Sequence, residues 1–101
     1  VTIRHIVLFR LHEGVSHDDP RVTEAVAGSA GLRTTVPGGE DWRIGADTSD
    51  REVSADFGGV GDFESPAVLR AFLTHPDHVA AADRWTRIAG WTVCDLEIAS
   101  R

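Results

Sequence analysis

The chain has 101 residues, 42% of them hydrophobic and 26% charged, and a formal net charge of −6, which is the profile of one soluble globular domain spanning residues 1–101. The acidic balance argues against a nucleic-acid partner, which needs a basic patch, and no apolar run approaches the ~20 residues of a membrane span. One cysteine, Cys94, excludes an internal disulfide and a thiolate metal cluster. With no signal peptide in view the expected setting is cytoplasmic, and the absence of Met leads to the expectation that the initiator has been removed.

Residues 2–11 read as the first strand. Ile3, His5, Val7, Phe9 and Leu11 share one face, while Ile6 and Leu8 lie on the other between Arg4 and Arg10. Apolar residues on both faces call for cover on both sides. His5 belongs to the more apolar face, where a hydrogen-bonded core histidine is the bland reading. His12, His17, Asp18 and Asp19 match no metal-site spacing, so no metal is assigned. Asp19 instead caps a helix that begins at Pro20. That helix carries Val22, Val26 and Ala30, with Ala25 and Leu32 nearby, and fades by Arg33–Thr35. Its small residues Ala27, Gly28, Ala30 and Gly31 permit close approach to a sheet or leave room for a ligand.

Val36-Pro37-Gly38-Gly39 is a turn. Strands are expected over 41–48, with Trp42, Ile44 and Ala46 on one face, and over 52–60, with Val53, Ala55 and Phe57 on one face. Gly58, Gly59 and Gly61 suggest a bulge or a close backbone approach. Ser65-Pro66 then opens a helix carrying Val68, Leu69, Phe72 and Leu73. Pro76 ends it at His75 and starts another, with Val79, Ala82, Trp85, Ile88 and Ala89 on one face and Gly90 as its C-terminal stop. Residues 91–99 form the last strand, where the carboxylate of Asp95 needs a partner. His75 thus lies in a helix break and His78 in the first turn beyond it. The helix dipole there would disfavour protonation of His78 and leave a base-competent imidazole; the bland alternative is that both histidines cap the helix or edge the core.

The order β-α-β-β-α-α-β, with right-handed crossovers, gives an α+β, ferredoxin-like layout with helices on one face of a four-stranded antiparallel sheet. The other face must be buried by something else, and a second copy packed sheet to sheet is the simplest cover.

From end to end the chain resembles the stress-responsive A/B barrel (Dabb) domain family. The resemblance rests on RHIVLFR at 4–10, VPG at 36–38, DW and G at 41, 42 and 45, DFGGVGDFES at 56–65, AFLTHPDH at 71–78, Trp85 and WTVCDLE at 91–97. It implies a dimeric α+β barrel, with a cavity between helices and sheet opening near the helix break. Most members have no assigned activity, while some act as cofactor-free enzymes, a plant polyketide cyclase among them. By that likeness His78 matches a base for aldol-type ring closure, Asp95 the residue that orients it, and His5 a histidine lining the cavity. Two departures weaken the match: Phe72 stands in place of an aromatic hydroxyl and Phe57 in place of a third-strand histidine, and the chain has no Tyr.

Two functions follow. One is a homodimer whose small apolar pocket binds a ligand, with no cofactor. The other is a cofactor-free acid–base enzyme acting on a small apolar carbonyl compound, with His78 as base, Asp95 as orienter and His5 as a polar contact. In both, Val7, Phe9, Phe57, Phe72, Leu73 and Trp85 are the expected walls and His75 a flanking contact. A haem- or oxygen-using monooxygenase is disfavoured, since isolated histidines give no haem-ligand context.

Overall fold

The computed structural model describes residues 1–99. Its elements run β1 (Thr2–Leu11), α1 (Pro20–Ala30), α2 (Leu32–Thr35), β2 (Arg43–Ala46), β3 (Phe57–Phe63), α3 (Pro66–Thr74), α4 (Pro76–Thr86) and β4 (Ala89–Ile98). The strands form one antiparallel sheet in the order β2-β3-β1-β4. This is the expected ferredoxin-like arrangement. Among the described residues no helix is long and apolar enough to cross a membrane.

Three helices begin on the same device, a capping side chain followed by proline. Asp19 accepts from the Arg21 amide at 2.9 Å, Ser65 from the Val68 amide at 3.2 Å, and the His75 ring Nδ1 from the Asp77 amide at 3.0 Å. Each satisfies one of the amides that a helix start leaves free, and the proline at the first position gives up no bond.

The structure corrects the expected faces and ends of the helices. α1 buries Val22, Ala25 and Ser29, continued by Leu32 of α2, rather than Val22, Val26 and Ala30. The spacing i, i+3, i+7, i+10 holds one stripe on a 3.6-residue helix, whereas Ala30 has rotated out to solvent. α4 buries Ala81 and Trp85 and leaves Val79 56% exposed. It stops at Thr86, so Ile88 belongs to the turn into β4 and Ala89 is the first residue of that strand; the Ile88 carbonyl accepts from the His12 amide at 2.7 Å. Gly90 is the second residue of that strand, not a helix stop.

β3 starts five residues later than expected. Residues 47–54 make local bonds instead: Asp47 accepts from the Asp50 amide at 2.7 Å and Ser54 Oγ from the Arg51 amide at 3.0 Å, bonds that compete with a strand ladder. β2 is likewise shorter than 41–48. No bulge interrupts β3, which pairs residue for residue with β1 from Ile3↔Phe63 to Phe9↔Phe57. Close approach is what its glycines serve: a Cβ on Gly59 would lie 2.4 Å from the Trp42 ring.

The core fills the space between the helices and one sheet face, with Trp85, Phe63, Phe72, Ile88 and Val22 fully buried. The other face stays open, with Leu8, Val60 and Leu96 more than two-fifths exposed. β4 is an edge strand, and its side chains are exposed from Trp91 to Glu97.

Candidate functional site

The register of β1 and β4 decides the geometry of the site. His5 pairs with Asp95, Val7 with Val93 and Phe9 with Trp91, and directly opposed residues project from the same sheet face. All of these but Asp95 line a cavity of about 170 Å³ between the sheet and the helices, together with Ser29, Leu32, Trp42, Leu73, His78, Ala81, Ala82 and Trp85; Asp95 reaches it through its bond to His5. Trp91 and Val93 are 41% and 46% exposed, so the cavity opens past β4.

Four aromatic rings set the walls. Trp85 stacks on Phe9 at a centroid distance of 3.9 Å, and Trp42 stacks on His5 at 5.7 Å. Ser29, 4% exposed, ties both indoles to α1: Trp85 Nε1 donates to its hydroxyl at 2.8 Å and Trp42 Nε1 to its carbonyl at 3.1 Å.

His5 is 4% exposed, and its Nδ1 lies 2.5 Å from an Asp95 carboxylate oxygen. A carboxylate only accepts, so this bond places the ring proton on Nδ1 and leaves Nε2 as an acceptor while the ring is neutral. His78 sits in the first turn of α4, edge-on to Phe72 at 5.1 Å. Desolvation pushes its pKa below the ordinary histidine value, the nearby His5 adds to the depression, and a backbone contact at Leu73 opposes it. The direction is the one the helix-start argument gave, but burial is the leading cause. No side-chain nitrogen or oxygen that is shut off from solvent lacks a partner among the described residues. The uncommitted His5 Nε2 is therefore in contact with the open space of the cavity.

Asp95 does not orient His78. It is bonded to His5, because in-register pairing of β1 and β4 sets the two side by side. Nor is His75 a wall: its Nδ1 is committed to capping α4. Phe72 and Phe57 sit outside the lining. Phe72 is fully buried behind it, against Phe63 and Trp42, and Phe57 packs on Trp85 and His17. Val7, Phe9, Leu73 and Trp85 do line the cavity, with His5 and His78. Ser29, Trp42, Trp91 and Ala81 also line it and are not among the walls expected from the sequence. Ser29 had a signal, the hydroxyl residue on the stripe Val22, Ala25, Leu32.

The arrangement offers a mostly apolar chamber with two imidazoles, one backed by a carboxylate and one held toward its neutral form. A hydrogen-bond acceptor and a proton-accepting base can thus face one small ligand. Among the described residues no group of three or more His, Cys, Asp or Glu side chains is placed to hold a metal ion. A shallower groove of about 600 Å³ on the opposite sheet face is bordered by Ile6, Leu8, Val53 and Val60 and contains no comparable pairing of histidine and carboxylate.

Comparison with known proteins gives the same architecture. The sequence profile of the Stress Responsive A/B Barrel Domain, Dabb, matches residues 3–98. An uncharacterised protein of Streptomyces coelicolor is 34% identical over 95 residues, which is 94% of this chain and 98% of that protein. A dimeric ferredoxin-like protein of unknown function from Thermobifida fusca superposes with a TM-score of 0.83 at 28% identity, covering 96% of this chain and 91% of that one. The hydroxynitrile lyase of Passiflora edulis superposes at 0.81 with 21% identity, covering 99% and 95%, a likeness of fold.

Proposed function

The chain belongs to the stress-responsive A/B barrel domain family, and on that premise we propose that it is a homodimer in which each protomer holds one small, largely apolar, carbonyl-bearing molecule between helices and sheet. The observation that carries the reading is the presence of His5 and His78 in one chamber of about 170 Å³ whose other walls are mostly apolar or aromatic. An apolar protein cavity of about 150 Å³ accepts benzene, so a single-ring compound matches the size. The few polar groups of the wall, the two imidazoles among them, fix its orientation. The dimer is supported by the open apolar face of the sheet, at Leu8, Val60 and Leu96, and by the dimeric relative from Thermobifida fusca. NMR titration with benzaldehyde and acetophenone tests the reading. Shifts should concentrate on β1, β4 and the first turn of α4; saturable binding elsewhere, or none, contradicts it.

One observation favours a second reading. A half-buried histidine held toward its neutral form is suited to accept a proton. On this reading His78 is the general base of a cofactor-free reaction, an aldol-type cyclisation or related lyase or isomerase chemistry, and Asp95 acts through His5, which contacts the substrate. The fold shared with a hydroxynitrile lyase supports the plausibility of such chemistry on this frame. Deuterium exchange into a β-dicarbonyl probe should then require His78; exchange that His78→Ala leaves unchanged refutes it.

A further inference from the structure

The chamber contains a third polar group, the side chain of Ser29. Ser29 is 4% exposed and lines the cavity. Its oxygen accepts from Trp85 Nε1 at 2.8 Å. Its carbonyl accepts from Trp42 Nε1 at 3.1 Å, so two indoles pin it from both sides. Serine and threonine hydroxyls within helices commonly spend their hydrogen on a carbonyl of the preceding turn; Thr74 and Thr86 do so here at 2.9 Å and 3.0 Å. The Ser29 hydroxyl has no such acceptor within hydrogen-bond reach among the described residues. It is therefore a buried hydroxyl with its oxygen engaged and its hydrogen uncommitted, at the wall of an apolar chamber.

We propose that Ser29 is the hydrogen-bond donor of this cavity and selects ligands by an oxygen that accepts, a ketone or aldehyde carbonyl, at one end of a single apolar ring. The inference rests on the small-molecule reading above and sharpens it. His5 Nε2 is an acceptor because Asp95 holds the proton on Nδ1, so a neutral His5 has no hydrogen to offer a carbonyl. The Trp85 and Trp42 indole hydrogens are spent on Ser29 itself. The Ser29 hydroxyl, its oxygen already accepting, is polarised toward stronger donation. In an apolar surround a ligand oxygen at that point recovers the bond it lost with water, whereas a methylene there leaves the donor unpaired. The chain has no Tyr, so no phenolic hydroxyl competes for the role.

The test compares two near-isosteres, acetophenone and α-methylstyrene, which differ by a carbonyl oxygen against a methylene, titrated by NMR against the full chain and Ser29→Ala. Ser29→Ala should weaken acetophenone by about tenfold, the size of one net hydrogen bond, and leave α-methylstyrene within about twofold. If both compounds bind and the substitution changes their affinities equally, Ser29 is not the selecting donor, while the pocket reading stands. If the unaltered protein binds neither compound, the pocket reading itself is overturned and the inference falls with it. Should loss of the Trp85 partner unfold Ser29→Ala, Ser29→Cys carries the same comparison. A thiol of nearly equal size donates weakly, so the carbonyl preference should shrink, and an unchanged preference overturns the assignment.

Discussion

Ala81→Leu tests whether the chamber is open. Ala81 is 2% exposed and lines the cavity from α4, so a larger side chain there grows into the empty volume of about 170 Å³. Leucine adds three carbons. At ~0.8 kcal/mol for each buried carbon the gain is about 2.4 kcal/mol, and the lost rotamer freedom returns about 0.5–1 kcal/mol. The net is a stabilisation of about 1.5–2 kcal/mol. For a domain of this length that raises the thermal midpoint by roughly 10 °C, provided protomer concentration is held fixed, since dimerisation links it to stability. Differential scanning calorimetry reads the shift, and the same variant should lose binding of acetophenone. A destabilisation of about 1–3 kcal/mol, the usual cost of overpacking, would refute the reasoning and mean that the chamber is already full.

Three further outcomes are expected. Because burial depresses the His78 pKa below 6.5, the unfolded chain takes up that proton first as pH falls through 6.5. The contribution of His78 is then present above 6.5, declines on acidification and levels off once the folded ring also protonates. Urea denaturation of the wild type and His78→Gln across that range should show the wild type losing ground below 6.5, and a pH-independent difference contradicts it. Gly59→Ala places a Cβ 2.4 Å from the Trp42 ring and should cost about 1–3 kcal/mol by urea denaturation; a neutral result would mean that Trp42 does not lie on β3. Leu8→Arg puts a charge in the middle of the open sheet face, where Leu8 is 47% exposed, and should convert the dimer to monomer in analytical ultracentrifugation. An unchanged dimer places the interface elsewhere.

The parts legible in the sequence are those written in local chemistry. Asp19-Pro20, Ser65-Pro66 and His75-Pro76 each carry a capping side chain before a helix-starting proline, and all three helices begin there. β1 shows its apolar alternation with no competing signal, and its ends match. The third strand begins later than its pattern implies because Val53, Ala55 and Phe57 alternate as a strand does, while the Asp and Ser side chains among residues 47–54 satisfy that backbone locally. Val79 and Ala81 differ little as sequence signals, and tertiary packing decides that α4 buries Ala81.

The partner of Asp95 was a long-range question with a usable answer. Once β1 and β4 are taken as antiparallel neighbours with Phe9 beside Trp91, Asp95 must fall beside His5. The likeness to a plant polyketide cyclase points to His78 instead. Whether the chamber is empty has no local signature, since it turns on the sum of a few volumes. Ala81, Ala82 and Ser29 are small where larger residues would close it.

The most direct measurement is a crystal structure of the protein grown with acetophenone. The account predicts one ring bounded by Phe9, Trp85 and Trp91, its oxygen toward Ser29 and the imidazoles of His5 and His78 beside it. A chamber closed by Trp91 and Trp85, with no ligand density between the helices and β1, would contradict it.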